Sequence, residues 1–180
     1  MQTLQQLRAR YALEQVEAAR KEMAGDKDQK KNLGEFKAYA AQFPAMIRMN
    51  GLGQAAAFYR SKKSTHERLY GILSCWLRGQ VRFDERPSGI SVAPDDARAH
   101  GVGVAGVERS EPPGSEPVIL RRIPAPYREY GDLLDGITHK DMGAYRLAQA
   151  EALLFLDWVK KFATAMITAP DPADNPESEP

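Results

Sequence analysis

The sequence predicts an all-α protein, a single helical bundle organised around one long helix near the C-terminus. Three observations carry this expectation. Apolar residues recur three or four apart through residues 3–77 and again through 127–168. Two of these runs open on a capping-box pattern, Thr3-x-x-Gln6 and Ser64-x-x-Glu67. The last run, 141–168, is apolar nearly all round, as a helix at the centre of a bundle must be.

The first helix is expected over residues 3–24, where Leu4, Leu7, Tyr11, Val16, Ala19 and Met23 form one stripe and Gln, Arg, Glu and Lys cover the other face. Gly25-Asp26 ends it. A second helix is expected over 28–42, with Leu33, Phe36, Ala40 and Phe43 on one side. Pro44 either starts a new short helix or kinks one that runs to Met49. A third helix would span 52–61. Ser64-x-x-Glu67 then opens a helix with Leu69, Ile72, Leu73, Trp76 and Leu77 inward, closed by Gly79.

From Arg82 to Ala125 the composition changes to six prolines and five glycines, and helical periodicity is absent. A loop of this length is uncommon inside a compact domain, so 82–126 reads as an insertion, a loop or a small β flap, with Gly89–Ala93, Gly101–Val107 and Pro117–Ile123 extended or in short strands. Helix resumes over Tyr127–Ile137. The last helix covers roughly Asp141–Thr168, with Tyr145, Ala148, Ala152, Phe155, Val159, Phe162 and Met166 alternating by three and four. The bundle therefore comprises residues 1–168, and the Pro-rich acidic tail 169–180 is expected to be disordered.

Of 180 residues, 43% are hydrophobic and 27% charged, which suits one domain with its own core. The tail holds four acids (Asp171, Asp174, Glu177, Glu179) and no base, leaving 25 bases against 20 acids before it. A mildly basic body with an acidic tail is compatible with a polyanionic partner. The lone Cys75 excludes an intrachain disulfide and, in the run Leu73–Leu77, is expected to be buried. Met1–Arg20 lacks the apolar segment of a signal peptide and no run is long enough to span a bilayer, so a cytoplasmic protein without a membrane partner is expected.

Chemistry is concentrated in Phe43–Lys63. Asn50-Gly51 is a helix stop, and Gly53-Gln54 opens the next turn. The free amides and positive dipole of such an opening turn can hold a phosphate. Arg48, Arg60, Lys62 and Lys63 surround it, and Lys160-Lys161 forms a second basic edge. These cations have a simpler reading too, because Arg48, Arg60, Lys62 and Lys63 fall at helix C-termini, where the dipole favours them.

No enzyme is expected. Gly101-Val-Gly103-Val-Ala-Gly106 matches a dinucleotide-binding pattern, but Pro112-Pro113 leaves no room for the helix that must follow it. His66, His100 and His139 are scattered, without metal-ligand spacing, and His66 is expected to be solvated. No cofactor is expected.

The block Phe43-Pro-Ala-Met-Ile-Arg-Met-Asn-Gly-Leu-Gly-Gln-Ala-Ala-Ala-Phe-Tyr-Arg-Ser-Lys62 resembles the signature stretch of the small α-helical subunit of the Cmr complex, the type III-B CRISPR RNA-guided effector. Gly131-Asp-Leu-Leu-Asp-Gly-Ile137 and Tyr145–Ala163 resemble that family's last two segments, in the family's order. The resemblance covers 1–80 and 127–168; the 82–126 insertion departs from it. It implies a non-catalytic subunit that stacks in several copies beside other Cmr subunits and lines the channel for the guide RNA–target RNA duplex. Under that implication Arg48, Arg60, Lys62, Lys63, Lys160 and Lys161 contact phosphates, with Asn50 and Gln54 adding hydrogen bonds. The alternative is a helical adaptor that binds only protein.

Overall fold

The computed structural model describes residues 2–24, 28–62, 64–83 and 123–167. Among them are five helices and no strand: α1 (Leu4–Met23), α2 (Gln29–Ser61), α3 (Thr65–Leu77), α4 (Leu133–His139) and α5 (Met142–Met166). The all-α expectation holds. Nearly all of the insertion, with its glycine motif, and the acidic tail lie outside the described residues.

Helix α1 begins on the expected capping box. The Thr3 hydroxyl accepts from the Gln6 amide at 3.2 Å, and the Gln6 side chain accepts from the Thr3 amide at 2.7 Å. Helix α2 runs without a break through Pro44, so the alternative of a new helix starting there falls away. Its non-helical residue is Gly51, at φ 80° and ψ 164°. There the chain turns back on itself. Phe43 and Tyr59 stack with ring centroids 3.7 Å apart and planes within 6°. Sixteen residues of straight helix would separate them by about 24 Å. The Tyr59 hydroxyl also donates to the Tyr39 carbonyl at 2.8 Å. The reversal needs glycine, because a Cβ at position 51 would lie 2.8 Å from the Tyr145 hydroxyl as well as in a left-handed backbone. Residues 29–50 and 52–61 are thus two arms of a helical hairpin.

Helix α3 ends as expected. Gly79, at φ 67°, follows its last residues, and the Gln80 amide reaches back to the Cys75 carbonyl at 2.9 Å. Its start differs from expectation, since Ser64 makes no side-chain cap and Glu67 pairs with Arg60 instead. The helix expected over 127–137 begins later. Residues 126–129 form turns, and α4 starts at Leu133. Gly136 of α4 lies so close to the Tyr127 ring that a Cβ would sit 2.5 Å from it. The Tyr127 hydroxyl is buried without a hydrogen-bond partner among the described residues, and burial pushes its pKa up to about 12.

Helix α5 packs against α1, α2 and α3, which makes it the central element. It runs antiparallel to the first arm of α2: Tyr145 meets Gly51 at one end, and Lys37 donates to the Ile167 carbonyl at 3.0 Å at the other. Where α1, α3 and α5 meet, Trp76 stacks on Phe155 (4.9 Å) and on Tyr11 (5.8 Å). Beside this stack the Glu151 carboxylate accepts from Arg8 Nε and Nη2, at 2.7 and 2.6 Å, and from Trp76 Nε1 at 2.8 Å. Cys75, expected to be buried, is half-buried.

The described residues on either side of the insertion are bonded to each other. The Tyr127 amide donates to the Leu77 carbonyl at 3.3 Å, and Arg78 Nε donates to the Tyr130 carbonyl at 2.8 Å. Val81 and Ile123 are both buried in the core.

Candidate nucleic-acid interface

The Gly51 reversal is built as a buried corner with an exposed rim. Leu52, Ala55, Ala56 and Tyr59 face inward from the second arm, and Phe43 and Ile47 from the first. Arg48, Asn50 and Gln54 stay at the surface, because they occupy the opposite side of each arm.

Two amides at the opening turn, that of Gly53 among them, are taken within the chain. Leu52 N–H donates to Gln149 Oε1 at 3.1 Å and Gly53 N–H donates to the Tyr145 hydroxyl at 3.3 Å. The reason is the antiparallel course of α5, which lays two polar side chains over a helix start that the core covers. Buried amides must be paired, and here α5 supplies the acceptors in place of a ligand. Gln149 was not among the candidate residues. A glutamine on the apolar α5, one position from the Ala148 stripe, was the available signal.

The cations separate into groups instead of one rim. Arg60 and Lys62 lie at the far end of the second arm, about 15 Å of helix beyond the corner at 1.5 Å per residue. Arg60 pairs with Glu67 at 2.9 Å and sits over the Tyr70 ring at 5.6 Å. Lys62 lies over the Phe58 ring at 5.4 Å. Lys63 is outside the described residues. Lys160 and Lys161 lie near the end of α5, beside the start of α1, where Trp158 donates to Gln5 at 3.2 Å. Lys161 pairs with Asp157 at 2.7 Å and covers the Trp158 ring at 5.4 Å. Among the described residues, Arg48, Lys62 and Lys160 have no carboxylate partner.

His66, expected to be solvated, is half-buried in an aromatic cluster. Its ring centroid is 3.8 Å from Tyr39, 5.0 Å from Tyr59 and 5.8 Å from Phe58. Burial lowers its pKa, and the nearby Lys62 charge lowers it further. Among the described residues no group of His, Cys, Asp and Glu could hold a metal ion, and no helix is long and apolar enough to cross a membrane.

An apolar side to the surface accompanies the cations. Met49 is 82% exposed beside the reversal, and Met142 is 65% exposed at the start of α5. Leu147 and Leu154, two turns apart on α5, are also exposed, so they share one face of that helix. The described surface thus presents separated cations and, apart from them, exposed apolar side chains.

Residues 4–95 and 117–166 of the chain match the family model for CRISPR-associated protein (Cas_Cmr5). The match takes in 82–95 and 117–126, expected from the sequence to depart from the family as insertion, and leaves 96–116 between the two stretches unmatched. No curated protein matches the chain.

Proposed function

The chain belongs to the CRISPR-associated Cmr5 family, small subunits of the Cmr complex in CRISPR defence, and we propose that it acts there as a non-catalytic, RNA-contacting spacer. In this reading several copies stack beside the other Cmr subunits, and Arg48, Asn50, Gln54, Arg60, Lys62, Lys63, Lys160 and Lys161 face the backbone of the guide RNA–target RNA duplex. The observation that supports it best is the exposure of every described member of that set within a chain matched to the family over most of its length. Lysine and arginine neutralise phosphates without reading bases, as a guide-directed complex requires. Arg60 and Lys161 would exchange Glu67 and Asp157 for phosphate. Surface pairs of this kind are weak, so the exchange costs little.

The test is RNA capture by the reconstituted complex carrying Arg60, Lys62 and Lys63 changed to neutral residues. Capture should weaken about equally for all guide and target sequences, with the salt slope falling by about one per lost phosphate contact. A sequence-selective loss would contradict phosphate contact.

The exposed Met49, Met142, Leu147 and Leu154 favour a second reading, an adaptor that holds other subunits and touches no RNA. Under it, the charge substitutions leave RNA retention unchanged, while Leu147→Ser with Leu154→Ser releases the subunit from the complex.

A further inference from the structure

Where the end of α1, the start of α2 and the first turn of α3 meet, Glu22, Met23, Asn32, Ser64, Thr65 and Arg68 line a cleft of about 250 Å³. Thr65 is only 2% exposed, and its hydroxyl has no hydrogen-bond partner among the described residues. The Nε of Arg68 is likewise buried and unpartnered. Its Nη1 nitrogen, by contrast, is taken by the Glu22 carboxylate. Ser64 and Thr65, where α3 begins without a side-chain cap, both line the cleft, so the positive end of the α3 dipole lies at the site.

Buried polar groups left without partners are uncommon and costly, and two of them line one cleft. The two unpartnered groups can both donate: a hydroxyl and a guanidinium N–H. What would satisfy them together is an acceptor with several oxygens and negative charge. Glu22 already shows that a carboxylate is accommodated at one side. A tetrahedral oxyanion fits the volume and offers acceptors to the rest.

We infer that this cleft is a phosphate-binding site, formed by Thr65, Arg68 and the start of α3, with Glu22 as an internal competitor for Arg68. The phosphate is either free or part of a polynucleotide backbone. None of these residues belongs to the set proposed above to face RNA, so the site stands whether or not that reading does.

The test uses the full chain and inorganic phosphate as the probe. Thermal unfolding and titration calorimetry are followed in sodium phosphate against sodium chloride of equal ionic strength. Phosphate should raise the unfolding temperature of the wild-type chain beyond chloride. Thr65→Val should weaken phosphate binding on the order of ten-fold, the effect of one lost hydrogen bond to a charged group, while leaving the phosphate-free protein at least as stable. That combination separates the site from a folding defect. Glu22→Gln should tighten binding by releasing Arg68. No phosphate-specific shift in the wild-type chain, an equal shift in Thr65→Val, or weaker binding in Glu22→Gln would overturn the inference. A short oligoribonucleotide without terminal phosphates then separates the sources. Displacement of bound phosphate, followed by ³¹P NMR, supports the site as one for backbone phosphate; retention supports it as one for free phosphate. Loss of RNA capture on changing Arg60, Lys62 and Lys63 would leave all these readings in place.

Discussion

Arg8 and Glu151 meet through two hydrogen bonds, of 2.7 and 2.6 Å, with neither side chain more than 7% exposed. The pair joins the first helix to the last across most of the chain, and Trp76 adds a third donor from α3. Breaking such a pair from one side leaves a buried charge unpaired. Glu151→Ala should therefore cost about 3–5 kcal/mol, measured by urea unfolding at unchanged m. Replacing both partners with methionine should cost less than either single change, because no stranded charge remains.

Gly51→Ala and Gly34→Ala should act in opposite directions. At Gly51 the backbone is left-handed and the new Cβ would crowd the Tyr145 hydroxyl, so a loss of about 1–3 kcal/mol is expected. At Gly34, in the first arm of α2, nothing lies within 4 Å and the backbone is helical, so a gain of about 0.5–1 kcal/mol is expected. Denaturant midpoints of the two variants provide the comparison.

His66 gives stability a pH dependence of known sign. Its folded-state pKa lies below the ordinary 6.5, so the unfolded chain binds the proton more readily. The contribution is fully present above pH 6.5 and is lost as pH falls through the folded value. Unfolding free energy measured from pH 7.5 downward should decline less steeply in His66→Gln than in the wild-type chain.

Glu67→Gln should release Arg60 without harming the fold. The pair is about half exposed on both sides, and exposed pairs contribute roughly 0–1 kcal/mol. RNA capture by the reconstituted complex should tighten, most visibly at low salt. Unchanged capture, with stability also unchanged, would favour the adaptor reading.

Several local signals in the sequence are realised in the structure. Thr3 and Gln6 cap α1, Gly79 closes α3, and the three-four alternation of Tyr145 to Met166 marks the central helix. Ser64 and Glu67 carry the same local signal, yet Ser64 sits at φ 63°, outside the extended backbone of a capping serine, and makes no cap, while Glu67 pairs with Arg60. For Pro44 the sequence leaves two alternatives, a new helix or one helix running on to Met49; the helix runs on through Pro44, and the chain reverses at Gly51, where α5 closes over the turn. The candidate site failed in one physical respect. Whether the amides of Leu52 and Gly53 are open depends on Gln149 and Tyr145, residues more than ninety positions away that no local pattern connects to them. Glu151 was readable in hindsight, because it lies between Ala148 and Phe155 on an apolar face and so requires a buried partner.

The bonds between the two flanks of the insertion have a consequence for how the bundle is closed. The Leu77 carbonyl accepts from the Tyr127 amide and Arg78 donates to the Tyr130 carbonyl. The two sides thus bond to each other directly, so the described bundle is closed across the gap between α3 and α4 by its own residues, and the docking of α4 beside α3 does not rest on the intervening segment.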